Sequence, residues 1–316
     1  MKLKTNNLRE AGLIVIIAAL CLVMSFASEF FLTWENMRAM LLSFAIEGIV
    51  VVGMTVLLIV GGIDLAVGSV VCLSMVIVGA LFLHGFDPWT ASVIAVVASA
   101  GIGLCMGLCV TKIGLSHFIA SLAFMVIARG LSLAITQGTP QSLFSLPAEF
   151  KLIGQGTIYG LPVVIIIFGL IVVVSDYILR NSVLFRKVFY TGSNERAAMY
   201  AGIDVNSVKL WVTVLCGTMS GIAGVVYTAR FGAATPTFGV GMELNVIAAA
   251  VIGGASLKGG SGTIYGAVLG LALLSVVTSS LILLDVSVYF QDVIKGGILL
   301  VAVSLDHWIN SRKQSN

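Results

Sequence analysis

Charge is scarce in this sequence: Asp, Glu, Lys and Arg make up only 10% of its 316 residues. A soluble domain carries about 25%. With 59% hydrophobic residues and a mean hydropathy of +1.11, a water-soluble globule is excluded for want of polar surface. Histidine is also rare. His84, His117 and His307 are far apart, which argues against a metal site. The five cysteines, Cys21, Cys72, Cys105, Cys109 and Cys216, are odd in number and form no CxxC. They suggest neither a disulfide framework nor a zinc site and read as small buried hydrophobes. No GxxxxGK[ST], HExxH or GxSxG occurs, and "GGASLKGGSG" (253–262) does not meet the phosphate-loop pattern. A net charge of +3 without a basic, aromatic-laced patch gives no sign of nucleic-acid binding. The chain is therefore expected to bind no metal or cofactor directly.

What is present is long apolar runs. About twenty apolar residues cross a bilayer. That rule places spans near 11–27, 41–60, 65–83, 91–111, 117–136, 161–179, 208–229, 245–258, 262–284 and 288–304. The expected fold is all-α: one polytopic domain over 1–316 with about ten membrane helices. The third and eighth runs are glycine-interrupted or short and are candidates for re-entrant segments, which survive at membrane depth only where protein or a water-filled cavity covers them. Lys2, Lys4 and Arg9 precede the first run, and "SFA" (25–27) resembles a cleavage site. The run is read as an uncleaved span rather than a signal peptide, because the rest of the chain must be inserted as well.

Lys and Arg orient the chain. With the N-terminus inside, 12 of the 17 basic residues fall on the cytoplasmic side, including Lys112, Arg186, Lys187 and Lys209. Both termini are thus expected in the cytoplasm. Residues 137–160 should face outward as turns and short structure. Residues 180–207, the most polar part, should face inward.

A weak internal echo joins "VGGIDLAVGS" (60–69) to "IGGASLKGGS" (252–261). Gly61, Gly62, Gly68 and Ser69 align with Gly253, Gly254, Gly260 and Ser261. Duplicated halves with interrupted segments near the transport path are a feature of transporters. These residues are read as pore or gate loops, with plain helix packing by glycine as the alternative. Asp64 sits within the first copy, where a charge at the bilayer centre costs about 2.5–3.5 kcal/mol. It is expected to cap the third span by accepting from backbone N–H groups near 66–67, close enough to the cytoplasmic end to stay partly solvated. The competing role is contact with a passing solute. Glu47, Arg129, Asp292 and Lys295 are the other main ionisable residues within spans. Asp292 and Lys295 are spaced to pair on one helix face. No carboxylate chain for proton coupling is apparent, which weakens an ion-driven carrier.

In "NERAAMYAGID" (194–204), helix formers from Glu195 to Ala201 precede Gly202, predicting a short exposed helix. Small Ala197 and Ala198 would give it a low surface able to dock in a partner's groove, unless it is only a solvated loop helix.

The Ala197-Ala198 to Gly202 spacing resembles the EAA loop of ABC-importer permeases, with Glu195 displaced by one because Arg196 intervenes. "VGMTVLLIVGGIDLAVGSV" (52–70), "GSNERAAMYAGIDV" (192–205) and "ELNVIAAAVIGGASLKGGSGTIYGAVLGLALL" (243–274) resemble the motifs of the ribose-type permease family. The resemblance covers roughly residues 10–305. It implies the inner-membrane subunit of a bacterial monosaccharide importer. A second permease subunit, identical or paralogous, would complete the path, and a periplasmic binding protein would deliver the sugar. Separate ATPase subunits would use ATP and dock on the loop 180–207 through Asn194, Glu195, Ala197, Ala198 and Gly202. The chain itself would be no enzyme. Alternatives are a permease for a quorum-signal furanose, a nucleoside or a branched-chain amino acid, or an ion-coupled secondary transporter.

Overall fold

The computed structural model describes residues 2–314, with side chains described for 9–301, 303 and 304. The expectations for Lys2, Lys4, His307, Arg312 and Lys313 fall on side chains outside these. The chain is helical nearly throughout: α1 (Lys2–Ala27), α2 (Trp34–Ile59), α3 (Val67–Leu83), α4 (Pro88–Leu108), α5 (His117–Thr136), α6 (Ala148–Gln155), α7 (Val163–Asn181), α8 (Val183–Ser193), α9 (Glu195–Tyr200), α10 (Val205–Phe231), α11 (Met242–Ile252), α12 (Ile264–Leu283) and α13 (Val288–Gln314). A π-helical turn, Cys109–Ile113, closes α4.

Local chemistry sets most helix starts. Thr33, Ser116 and Thr263 accept from backbone N–H groups three residues on, and Asp87 caps α4 ahead of Pro88 at its first position. Asp204 caps α10 through Ser207 N–H and also accepts from the Ser207 hydroxyl at 2.6 Å. These bonds from Ser207 hold its carboxyl below the usual carboxylate range.

Among the described residues, seven helices are long and apolar enough to cross a membrane: α1 from Arg9, α2, α4 with its π turn, α5, α7, α10 and α12. Each of the ten expected spans overlaps a helix, but the eighth, 245–258, runs past the end of α11 at Ile252 into non-helical backbone, and α3 has 17 residues and α11 has 11. At 1.5 Å per residue α11 covers about 16 Å, half of a 30 Å hydrocarbon core. The expectation that the cysteines are buried holds for Cys72 and Cys216 only. Cys21 and Cys109 are half-buried and Cys105 is exposed, because a membrane helix can turn apolar side chains toward lipid as readily as toward protein.

α10 is the centre of the bundle. Gly217 and Gly221 let it approach Ser99 of α4, and Gly224 lets it approach Val71 and Ser74 of α3. Ser74 donates across that crossing to Gly221 C=O at 2.8 Å. This is the close packing of small residues that membrane helices use. At one end of the bundle, β1 (Gln141–Ser142) pairs antiparallel with β4 (Ala233–Ala234), and β2 (Thr157–Ile158) with β3 (Leu161–Pro162). Residues 137–162 thus carry short structure, as their turn-rich composition suggests.

Between β4 and α11 the chain is not helical. Arg129 of α5 supplies what this stretch lacks, donating to Pro236 C=O (3.1 Å) and Phe238 C=O (2.6 Å). The Cys72 thiol donates to Pro236 C=O as well. An intramembrane arginine here satisfies irregular backbone that lipid could not.

Candidate functional site

The two echoed stretches end their helices in the same way. Gly61 N–H donates to Leu58 C=O and Gly62 N–H to Leu57 C=O. Gly254 N–H donates to Val251 C=O and Ala255 N–H to Ala250 C=O. Gly61 (φ +88°) and Gly254 (φ +108°) take the left-handed conformation that this double bond requires and that a Cβ disfavours. The structural match therefore pairs Gly61 with Gly254, one residue off the sequence alignment. Gly253 lies a step earlier, pressed against the Gly266 backbone of α12.

A second match follows in the sequence register. Asp64 Oδ1 accepts from Ala66 N–H at 2.7 Å, and Ser256 Oγ from Lys258 N–H at 3.2 Å. Asp64 is thus not the N-cap of α3. That position is Ala66, without a side-chain cap, because the aspartate spends its acceptor on a turn before the helix. Nor is Asp64 partly solvated: it is 1% exposed and faces the Cys216 thiol of α10. The copies then diverge. Gly68 and Ser69 are buried in the first turn of α3, with Gly68 against Gly239 C=O and the Glu243 carboxylate. Gly260 and Ser261 instead lie in a loop ahead of α12.

That longer loop joins the two copies. Gly260 N–H donates to Ile59 C=O at 2.8 Å. Gly192 of α8 lies directly on the same junction, where a Cβ would strike Ile59 C=O and Gly260 N. The ends of α2, α8 and α11 therefore share one face of the bundle. α1 reaches it too: Arg9 donates to Val251 C=O at 2.8 Å, and Glu10 accepts from the Thr263 hydroxyl at 2.9 Å.

α9 stands beside this junction, capped by Asn194 Oδ1 on Ala197 N–H and ended by Gly202 at φ +79°. Its expected surface needs one correction. Ala197 is exposed, but Ala198 is buried at 3%, since a six-residue helix lying on the bundle turns one face inward. Glu195 pairs with Lys209 of α10 at 2.8 Å. Beside this pair a hollow of about 530 Å³ is lined by Gly61, Thr111, His117 and Asn206.

Sequence reasoning missed a second feature, at the opposite end. A cavity of about 210 Å³ opens between α2, α11, α12 and α13. α2 contributes Asn36, Ser43 and Glu47, spaced i, i+7, i+11 on one face. α12 contributes Ser275, Thr278 and Ser279, α11 contributes Asn245, and α13 contributes Lys295. Lys295 Nζ is 4.0 Å from Asp292, the expected pair. The signal lay in the helical spacing of polar residues along otherwise apolar runs. Among the described residues, no group of three or more His, Cys, Asp or Glu is arranged to hold a metal.

Multiple apolar helices, a half-length helix entered through non-helical backbone, and a polar cavity among them define a multi-pass membrane protein of the transporter class. The chain belongs to the family described as "Branched-chain amino acid transport system / permease component", whose match spans residues 36–303. It is 37% identical to the ribose import permease protein RbsC of Bacillus subtilis, over 91% of this chain and 89% of that protein. It is 34% identical to the D-allose transport system permease protein AlsC of Escherichia coli, over 90% and 87%. With the L-arabinose ABC transporter permease protein AraH of Azospirillum brasilense it shares 32% over 98% and 90%. No solved structure matches the chain.

Proposed function

We propose that this chain is the membrane permease subunit of an ABC importer for a monosaccharide. The observation that carries this reading is near full-length similarity to permeases for ribose, allose and arabinose. The chain works with an ATPase and a periplasmic binding protein, as ABC-importer permeases do in general. A second permease subunit, identical or paralogous, completes the path. Both termini lie in the cytoplasm of a bacterial cell, a reading supported by the distribution of Lys and Arg.

In this reading residues 180–207 receive the ATPase, with Asn194, Glu195, Ala197 and Gly202 at the contact and Ala198 anchoring α9 from inside. The physical link inward is short. α8 leads into α9, and Gly192 at its end sits where Ile59 and Gly260 meet. A displacement of α8 and α9 would thus push on the ends of α2 and α11 together. Gly61, Gly62, Asp64, Gly253, Gly254, Gly260 and Ser261 then form the hinge through which ATP-driven motion changes access to the path.

The test is uptake of labelled pentoses and hexoses in cells lacking or expressing the chain. Uptake should need the chain and an ATPase subunit, and should survive collapse of ion gradients while ATP is preserved. Sugar uptake that persists without the ATPase subunit would overturn the reading. The family description names branched-chain amino acids, so labelled leucine belongs in the same panel. Leucine uptake without sugar uptake would favour that second substrate class.

A further inference from the structure

The hairpin between α6 and α7 holds its tip clear of the bundle. Thr157 pairs with Pro162 and Ile158 with Leu161. Tyr159 and Gly160 form the two-residue turn, with φ of +50° and +84°, the conformation that a tight hairpin of this kind demands. The Val163 N–H, first of α7, donates to Gly156 C=O at 2.9 Å and closes the base. That base is tied to the bundle: Gln155 of α6 donates to Arg230 C=O at 2.9 Å, and Gly154 lies against the Arg230 backbone. The tip has no such cover. Tyr159 is fully exposed, and Ile158 and Leu161 are half exposed.

Charge, depth and continuity together identify what surrounds the tip. Residues 152–175 carry no Asp, Glu, Lys or Arg. A soluble partner that arrives by diffusion is steered and oriented by charge, and this surface offers none. α7 has 19 residues, about 28 Å of helix, which matches a hydrocarbon core of about 30 Å. Val163 therefore marks one edge of that core, and strands of two residues keep the tip within about 10 Å of it. Ile166, Leu170, Val173 and Tyr177 continue the exposed surface down one side of α7 at helical spacing. Trp89, at the start of α4, stands beside the same base. It is half exposed and packs edge-on against Phe150 of α6, with ring centroids 5.5 Å apart. Tyr and Trp gather at the membrane–water boundary because one end of each ring system is apolar and the other bonds water or headgroups.

We propose that the 157–162 hairpin is a lipid-binding element, with Ile158, Tyr159 and Leu161 seated in the phospholipid headgroup layer at the end of the bundle away from α9. Ile158 and Leu161 lie against the upper acyl chains, and the Tyr159 hydroxyl donates to phosphate or ester oxygens. The consequence is mechanical. α7 runs from this hairpin to α8, whose Gly192 sits on the glycine junction. With the start of α7 pinned to the membrane surface, a displacement of α8 bends or shifts the far end of α7 instead of carrying the whole helix along. The inference is independent of which solute the chain moves.

The test is photo-crosslinking of the full chain in cell membranes, with p-benzoylphenylalanine placed singly at position 159, 161, 97 or 200. Val97 is exposed on α4 and Tyr200 on α9, so they serve as sites within the span and outside it. Mass spectrometry of the labelled peptides reads the product. A phospholipid adduct at 159 and 161, at least fivefold above that at 200 and comparable to that at 97, is the expected result. A protein adduct at 159, whether to a soluble binding protein or to a second permease chain, overturns the proposal. So does a phospholipid yield at 159 no higher than at 200. If the change at 159 lowers membrane abundance, position 161 decides by the same criteria. Capture of an ATPase subunit at 200 bears on the function reading alone, and its failure leaves the lipid result standing.

Discussion

Residues 57–67 and 250–264 stop a helix with the same pair of bonds and turn on a side-chain acceptor at the same register position, Asp64 in one and Ser256 in the other, yet one is short and the other long. After Ala66 the first copy enters α3 at once. After Lys258 the second runs on through Gly259–Thr263 before α12 begins. The shared part is local chemistry: a left-handed glycine ends an α-helix whatever surrounds it. The extra residues reach across to Ile59 and Gly192, and α1 grips their flanks through Arg9 and Glu10. The difference teaches that the first break is a buried fixed turn and the second is the contact that joins it to the rest of that face of the bundle.

The largest effect should come from the point where the copies meet. Gly192→Val would drive a side chain into Ile59 C=O and break the bond from Gly260. Overpacking of this kind costs about 1–3 kcal/mol, and uptake should drop at least tenfold while the chain still reaches the membrane. Normal uptake by this variant would show that the contact transmits nothing.

Next come the paired acceptors. Asp64→Ala strips the Ala66 N–H of its partner in a buried site and should cost about 1–3 kcal/mol. Ser256→Ala loses a longer bond to the exposed residue Lys258 and should cost about 0.5–1.5 kcal/mol, with Asp64→Asn between parent and Ala because it keeps an acceptor. Thermal unfolding of the detergent-solubilised chain measures all three. Equal shifts for Asp64→Ala and Ser256→Ala would erase the distinction between a fixed and a reaching loop.

The smallest expected difference concerns the shared helix stops. Gly61→Ala and Gly254→Ala each force a Cβ into the left-handed region, at roughly 1–2 kcal/mol. Neither site has close neighbours that a Cβ would strike, so the two losses should agree within about 0.5 kcal/mol. A larger gap in the same unfolding measurement would break the equivalence of the two caps.

Much of this was legible beforehand because it depends on near neighbours in the chain. The apolar runs, the short helix from Glu195, the stop at Gly202 and the Asp292–Lys295 pair follow from spacing alone. The role of Asp64 was misread because a cap and a turn before a helix use the same acceptor within one residue. Ala198 was misplaced because six residues of sequence do not say which face lies on the bundle. The cavity was missed because Asn36, Ser43, Asn245 and Thr278 are unremarkable singly and belong to three different helices.

By itself the sequence determined that the chain is a membrane protein of many helices, roughly where its long apolar helices lie, and which family it resembles. Each of these depends on hydropathy, caps and motifs that need only a few adjacent residues. Only the tertiary structure decided that the two glycine breaks touch through Ile59 and Gly260, that Arg129 holds the irregular approach to α11, and that α2 and α12 present facing polar ladders. In a bundle whose helix surfaces are nearly all apolar, hydrophobicity does not choose partners. Close approach at small residues and the matching of buried donors with acceptors do.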